Sequence, residues 1–125
     1  MIYASLVWED YGYTSPMTCE GGEERTITIG GWSKGWAMTG WRMGWIGGNK
    51  EVIDAVKKVN ASAATHIPTF LMPAGITALS LEKETKMMQD SFKDRRDVIH
   101  KLLDGIDGIT VPKTEGAFYA ICDVS

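Results

Sequence analysis

The chain has 125 residues, of which 44% are hydrophobic and 23% charged, and its formal net charge at pH 7 is −3. This composition is ordinary for a globular protein, and the charge gives no electrostatic reason to expect a nucleic acid or an anionic membrane as partner. No apolar run approaches the roughly 18 residues that a membrane span needs, and the N-terminus lacks the basic start and apolar core of a secretory signal.

Three strands are predicted in the first part of the chain. Residues 2–8 are apolar and aromatic, which is typical of a strand, and the turn formers of residues 9–25 predict a loop. Residues 26–31 alternate hydroxyl and β-branched side chains and end in two glycines, which predicts a second strand. A short helix or turn over residues 34–40 leads into residues 41–47, which are apolar with regular glycines and predict a third strand.

Two helices are predicted next. Asn49 is a good N-cap for the first, whose apolar residues recur at helical spacing until about Asn60. Small and polar residues follow and predict a linker. Pro68 or Pro73 suits the first turn of the second helix, which is predicted to end near Leu79.

The last part of the chain predicts one long helix and two short strands. Ser80 is predicted to cap the helix, which runs over about residues 81–104. Its core-facing stripe is predicted at three- and four-residue steps with one arginine as the polar intrusion: Met88, Phe92, Arg95, Ile99 and Leu102. Residues 109–111 and 117–124 are predicted to form the short strands.

The cysteines and histidines give no sign of a metal site. Cys19 and Cys122 are far apart in sequence and nothing demands that they pair, so we predict a reduced, cytoplasmic protein. His66 and His100 are isolated and show no metal-ligand spacing to either cysteine. We predict that both histidines are structural or exposed.

The stretch from Ser33 to Gly44, S-K-G-W-A-M-T-G-W-R-M-G, holds the residues best suited to chemistry. Lys34 lies where a predicted strand gives way to a loop, which is the usual place for a ligand in an α/β sheet. A lysine amine becomes nucleophilic in apolar surroundings or near a cation, and Trp32 and Trp36 flank it. Arg42 offers a fork of N–H donors that suits a phosphate.

Glycines add to this pattern, because those at positions 30, 31, 35 and 40 would let backbone N–H groups approach an anion. An amine nucleophile near a phosphate clamp suggests a phosphorylated aldehyde cofactor held as a Schiff base. Spacing alone favours the simpler alternative, a surface lysine and arginine in a turn rich in glycine and tryptophan.

The same stretch resembles the cofactor-lysine motif of the class I and II aminotransferases, S-K-x-(aromatic)-x-M-T-G-W-R-x-G, which is long and specific. Further similarities follow in the family's order. Ile2-Tyr3 resembles the end of an Asp-Glu-x-Tyr segment, and residues 49–53 resemble the helix after the lysine motif. Residues 68–79 resemble P-x-F-x-Q-x-A-G-x-x-A-L, with a methionine for the glutamine, and residues 116–119 resemble a G-A-F-Y strand. The resemblance spans the whole chain, but only about the middle third of such an enzyme.

The resemblance implies a fold-type I enzyme that uses pyridoxal 5'-phosphate (PLP). Lys34 would form the Schiff base with the cofactor and would then act as the base that moves a proton from the substrate Cα. Arg42 would bind the cofactor phosphate, and Ser33 is a weaker candidate for the same phosphate. Tyr3 would donate a hydrogen bond to the cofactor's phenolic oxygen.

The implied fold is α/β, with residues 1–80 as the C-terminal part of a large PLP-binding domain of three α/β/α layers. Residues 81–125 would begin a small α+β domain, and the third strand would run antiparallel beside the second. The implied function is transfer of an amino group between an amino acid and a 2-oxo acid by a homodimer. We expect the chain to be a fragment with little or no activity, because the family's cofactor-facing aspartate would precede residue 1 and its carboxylate-binding arginine would follow Ser125.

Two alternatives stay open. The lysine motif does not separate transamination from other PLP reactions, such as the β-elimination catalysed by a C–S lyase. A non-catalytic interaction module would instead use exposed strand edges and the tryptophan-rich surface to bind a partner chain. The amino-acid donor is not revealed by the sequence.

Overall fold

A computed structural model describes residues 2–8 and 11–125 of the chain. Two compact units are distinguished within it. Thr14–Leu81 makes up nearly all of the first unit, and Tyr3–Tyr13 with Glu82–Ser125 makes up the second. The assignment of residues 1–80 and 81–125 to a large and a small domain stays a prediction.

The first unit is organised around a β-hairpin. Strand β1 (Thr28–Gly31) pairs antiparallel with strand β2 (Gly44–Gly47), and the register sets Thr28 opposite Gly47 and Gly31 opposite Gly44. The second and third predicted strands and their antiparallel pairing are therefore confirmed, although each strand begins two or three residues later than its sequence pattern suggested. The loop between the strands contains residues 33–43, which is the stretch singled out above without its last glycine.

Glycine at the base of this loop is required by the packing of the two strands. A Cβ atom on Gly31 would lie 2.8 Å from the carbonyl oxygen of Met43, which is backbone and cannot rotate away. A Cβ atom on Gly30 would lie 2.4 Å from the ring of Trp45. Close approach of the strands thus accounts for both glycines, for which the sequence had suggested anion contacts.

Gly31→Ala is expected to lower the free energy of unfolding by about 1–3 kcal/mol, because the added methyl group forces the two strands apart. Gly40→Ala is the matched control on the same loop, since a Cβ atom there would meet nothing within 4 Å. Urea unfolding followed by circular dichroism measures both. Equal unfolding midpoints for the two variants would contradict the steric explanation.

The segment before the hairpin is more ordered than the predicted loop over residues 9–25, of which residues 9 and 10 lie outside the described residues. A 3₁₀ turn, Pro16–Thr18, begins where the Ser15 hydroxyl accepts a hydrogen bond from the Met17 backbone N–H at 3.3 Å. A short helix α1 (Gly22–Arg25) follows. Its acidic first turn and basic last residue complement the helix dipole. The prediction of a loop considered only the turn-forming residues and so missed this helix.

Helix α2 (Lys50–Ala63) begins as predicted at Asn49, whose side-chain oxygen accepts a hydrogen bond from the Glu51 backbone N–H at 2.8 Å. It continues past the predicted end at Asn60. The Asn60 carbonyl accepts hydrogen bonds from the backbone N–H groups of residues 64 and 65 at 2.9 and 2.8 Å, so it lies in the last turn rather than after it.

Asn49→Ala is expected to lower the free energy of unfolding by about 1 kcal/mol, because the N–H of Glu51 loses its capping acceptor. Ser62→Ala, on an exposed position of the same helix, is the control and should change stability by less than about 0.5 kcal/mol. Thermal unfolding of both variants measures the difference. A cap that made no contribution would leave the Asn49 variant as stable as the control.

Helix α3 (Met72–Leu79) follows a 3₁₀ turn, Thr69–Leu71, and has a proline in its first turn as predicted. The role predicted for Ser80 is wrong. Its hydroxyl donates to the Thr77 carbonyl at 2.8 Å, so it closes α3 instead of capping the long helix that comes next. Helix α4 begins at Glu82, so Leu81 directly precedes it and Ser80 lies one position too early to be its N-cap.

The long helix α4 (Glu82–Leu103) belongs to the second unit, and its less exposed side follows the predicted stripe at Met88 and Phe92 but departs from it further along. Arg96, not Arg95, is buried, with 7% of its surface exposed, whereas Ile99 and Leu102 are 45% and 63% exposed. The Arg96 guanidinium lies 5.9 Å from the centre of the buried Trp8 ring. An aromatic ring from a distant part of the chain thus covers Arg96, and the less exposed positions of this half of the helix lie one residue after the predicted ones.

The strands predicted at the two ends of the chain are wrong. Residues 2–5 form a turn that is closed by a hydrogen bond of 2.8 Å from the Leu6 N–H to the Tyr3 carbonyl. In the described part of the chain, these segments pair through isolated single bridges. One joins Val7 to Gly116 and the other joins Thr110 to Asp123. Apolar alternation supplies faces for a sheet, but a strand forms only where a neighbouring segment pairs over several residues.

No helix in the described ranges has the combined length and apolar character to cross a bilayer.

Candidate functional site

Lys34 and Arg42 lie on the loop between β1 and β2. Gly31 and Gly44 form the last pair of the ladder, and the N–H of Trp32 donates to the Met43 carbonyl at 3.3 Å just beyond it. Lys34 is two residues past that bond on one arm, and Arg42 is one residue before it on the other. The hairpin therefore holds the amine and the guanidinium on the two arms of one loop, near its base.

The arm that carries Lys34 is a tight turn built on one carbonyl. The Trp32 carbonyl accepts hydrogen bonds from the N–H groups of Trp36 and Met38 at 3.2 and 3.4 Å. Ala37 has a left-handed backbone with φ of 53°, which costs an alanine roughly 1–2 kcal/mol. Lys34 itself is half-buried within this turn. Strain of this kind persists only where the surroundings impose it, and it is concentrated at functional sites.

The loop is anchored to helix α3. The indole Nε1 of Trp32 donates to the Gly75 carbonyl at 3.0 Å, and Met43 is buried with its thioether 3.5 Å from where a Gly75 Cβ would lie. The Trp32 and Trp36 rings are 6.3 Å apart. Sequence reasoning missed both anchors. The signal for one of them was present, because a glycine inside a predicted helix indicates close packing.

Arg42 occupies the other arm with a left-handed backbone, φ 53° and ψ 37°. Its Nη1 donates to the Thr39 carbonyl at 2.7 Å, which fixes the direction of an otherwise exposed guanidinium. A guanidinium carries five N–H donors, so this bond leaves most of its donor capacity for an anion. A second strained non-glycine residue on the same loop is consistent with a site whose geometry is set in advance.

An open cavity of about 790 Å³ lies beside Arg42, between the hairpin and α2. Its lining includes Gly44, Trp45 and Val56 and is mostly apolar. Lys34 is not part of this lining. The structure therefore brings Ser33, Lys34 and Arg42 onto one loop without placing the amine in that cavity.

Tyr3 belongs to the second unit, where its hydroxyl lies 2.5 Å from the Tyr119 hydroxyl. This hydrogen bond, together with partial desolvation, raises the pKa of Tyr3 above its ordinary value. No sequence pattern indicated this pairing, since the two tyrosines are 116 residues apart.

Comparison with known proteins places this loop in context. The family described as Aminotransferase class I and II matches residues 1–125. The aspartate/prephenate aminotransferase of Cereibacter sphaeroides is 35% identical, over 99% of this chain and 32% of its own length. The aspartate aminotransferase of Pinus pinaster is 31% identical, over 99% of this chain and 26% of its own length. The chain thus spans about a third or less of these curated relatives.

The chain is also similar to solved structures of aminotransferases. The aspartate aminotransferase from Rhizobium meliloti superposes with a TM-score of 0.82 at 36% identity, over 97% of this chain and 31% of that one. The aromatic aminotransferase from Pyrococcus horikoshii OT3 superposes with a TM-score of 0.89 at 34% identity, over 95% of this chain and 32% of that one. These likenesses confirm the predicted α/β fold class.

Proposed function

The chain belongs to the class I and II aminotransferase family, and we propose that it is part of a PLP-dependent aminotransferase. The full-length enzyme would transfer an amino group from an amino acid to a 2-oxo acid. The observation that carries the proposal is the hairpin loop, which holds Lys34 on one arm and Arg42 on the other near a base fixed by the Gly31–Gly44 pair.

The residues of this loop suit the cofactor chemically. An amine is the group that joins an aldehyde, and a guanidinium fork matches the oxygens of a phosphate. Arg42 and Ala37, three residues after Lys34, have left-handed backbones, and hydrogen bonds tie down both arms of the loop, which favours a fixed distance between the points that would hold PLP. Ser33, in the same turn as Lys34, is proposed as a secondary phosphate donor.

Each proposed residue has a separate task. Lys34 would hold PLP through its amine, and the free amine would take a proton from the substrate Cα and return it. This task requires the amine to be neutral when it takes the proton. Arg42 fixes the phosphate, and Tyr3 donates to the phenolic oxygen. When bound, PLP supplies the electron sink for the charge that develops at the substrate Cα.

The substrates are proposed from the relatives. Those reported above are named as aspartate, aspartate/prephenate and aromatic aminotransferases, so aspartate is the first donor to test, with a 2-oxo acid as acceptor. We further propose that the full-length enzyme works as a cytoplasmic homodimer. Cys19 and Cys122 are free thiols, which is compatible with a reducing compartment.

Purified full-length protein supplied with PLP, aspartate and a 2-oxo acid tests the proposal. The expected result is one new amino acid for each oxaloacetate formed, at roughly 1 s⁻¹ or faster. Release of ammonia without a new amino acid, from cysteine conjugates for example, would support a lyase instead. A protein that gains no visible absorbance band with PLP and turns over no substrate would contradict the proposed function altogether.

A further inference from the structure

We infer that Tyr119 is a positioning residue for the active site, because its hydroxyl holds the hydroxyl of Tyr3 in place. The inference rests on the proposed function, since it adds a second tyrosine behind the one that would meet the cofactor. Tyr119 itself acts through Tyr3.

The rings around the hydroxyl pair restrict how Tyr3 can move. Tyr3 meets Tyr119 edge to face at 5.6 Å and Phe118 edge to face at 5.3 Å, both with ring planes 87° apart. Phe118 in turn stacks on Phe92 of helix α4 at 5.5 Å. Two perpendicular neighbours on a single ring oppose its rotation, and the hydroxyl contact of 2.5 Å fixes its far end.

Backbone hydrogen bonds set the two segments at this spacing. The N–H of Trp8 donates to the Glu115 carbonyl at 2.9 Å, and the N–H of Ala117 donates to the Leu6 carbonyl at 2.7 Å. These bonds flank the bridge between Val7 and Gly116. The tyrosine contact is therefore a consequence of how the segments are joined rather than of two mobile side chains that happen to meet.

Helix α4 holds the Tyr119 side of the pair from behind. The buried Arg96 donates through Nη1 to the Thr114 carbonyl at 3.3 Å, and the Thr114 N–H donates to Nε2 of His100 at 3.2 Å. The Thr114 hydroxyl then donates to the Tyr119 carbonyl at 3.0 Å. Tyr119 is thus fixed at its backbone by contacts that lead to α4 and at its hydroxyl by Tyr3.

The two tyrosine hydroxyl groups carry enough protons for Tyr3 to hydrogen-bond both to Tyr119 and to an anionic oxygen of the cofactor. Two phenol groups carry two protons, and their mutual hydrogen bond uses one of them. Either hydroxyl can donate in this bond. When Tyr119 donates, the Tyr3 proton stays available for a third atom, while the bond keeps both oxygens in a fixed place. Without Tyr119, the Tyr3 side chain would lose conformational entropy on binding the cofactor, which would weaken that contact.

Tyr119→Phe in the full-length protein tests the inference, since it keeps the ring and removes the hydroxyl. In the cofactor-free protein with ¹³Cζ-labelled tyrosine, the pKa of Tyr3 should fall toward its ordinary value, with the Tyr3 resonance assigned through Tyr3→Phe. PLP should bind roughly two- to tenfold more weakly, as expected for one lost hydrogen bond. Tyr13→Phe, which removes an exposed hydroxyl from the same unit, is the control and should change neither quantity.

A double-mutant cycle separates positioning from general destabilisation. If Tyr119 acts through Tyr3, the double variant should bind PLP no more weakly than Tyr3→Phe alone. Additive losses, or a Tyr3 titration that is the same in wild type and Tyr119→Phe, would overturn the inference. Thr114→Val, which releases the Tyr119 carbonyl, should weaken PLP binding in the same direction and serves if Tyr119→Phe folds poorly. Failure of the proposed function would show instead as no Lys34-dependent visible band, whatever the Tyr3 titration gives.

Discussion

Lys34→Ala is expected to lower turnover of the full-length enzyme by about 10⁴-fold or more, because the variant loses both the covalent anchor of PLP and the base that moves the substrate proton. The loss should appear in kcat, since the amine is needed after the substrate has bound. A visible band that forms when PLP is added to the wild type should be absent. Single-turnover absorbance and steady-state assays measure the two effects.

Lys58→Ala is the matched control for this variant. Lys58 lies at an exposed position of α2 in the same unit, so its removal should leave turnover and the visible band unchanged. The free energies of unfolding of both variants should match the wild type within about 1 kcal/mol. A Lys34 variant that kept more than a tenth of wild-type turnover would exclude Lys34 as the cofactor lysine.

Arg42→Ala is expected to weaken PLP binding by roughly ten- to a hundredfold, the effect of losing hydrogen bonds between charged groups. Pyridoxal, which has the aldehyde but no phosphate, should bind the variant about as well as it binds the wild type. This comparison isolates the phosphate from the rest of the cofactor. Arg42→Lys should recover only part of the affinity, because an ammonium cannot reproduce the two parallel bonds of a guanidinium fork.

Arg25→Ala provides the charge control for Arg42. It removes one exposed positive charge from the same unit, so any loss of PLP affinity through net charge alone would appear there as well. Fluorescence or absorbance titration with PLP and with pyridoxal gives the dissociation constants. Equal losses for the two ligands in Arg42→Ala would contradict a phosphate contact and would indicate a structural role for the arginine in the loop.

Much of the fold could be predicted from patterns of residues that are close in sequence. Strand β1 follows from its hydroxyl and β-branched residues, strand β2 from an apolar run with regular glycines, and the Asn49 cap from its amide. All three depend on residues close in sequence. Errors arose where a distant partner decided the outcome. The Trp8 ring covers Arg96 of helix α4, so that Arg96 is buried where Arg95 was predicted to be. The predicted strand over residues 2–8 pairs with another segment only at Val7 within the described residues.

The candidate site also combines features that depend on nearby residues with features that depend on distant ones. Ser33, Lys34 and Arg42 lie within one motif, so their shared loop was foreseeable from the sequence. The anchors of that loop were not, since the Trp32 indole bonds to Gly75, 43 residues away. Tyr3 and Tyr119 meet across a separation of 116 residues, and no residue pattern near either one indicates the other. Contacts of this range depend on tertiary packing, which periodicity and motif spacing do not encode.

Reduction of the full-length protein with borohydride in the presence of PLP, followed by digestion and mass spectrometry, tests the central claim most directly. We expect a single pyridoxyl group, carried by the side-chain nitrogen of Lys34. A reduced sample in which Lys34 is unmodified, whether another lysine carries the group or none does, would contradict it.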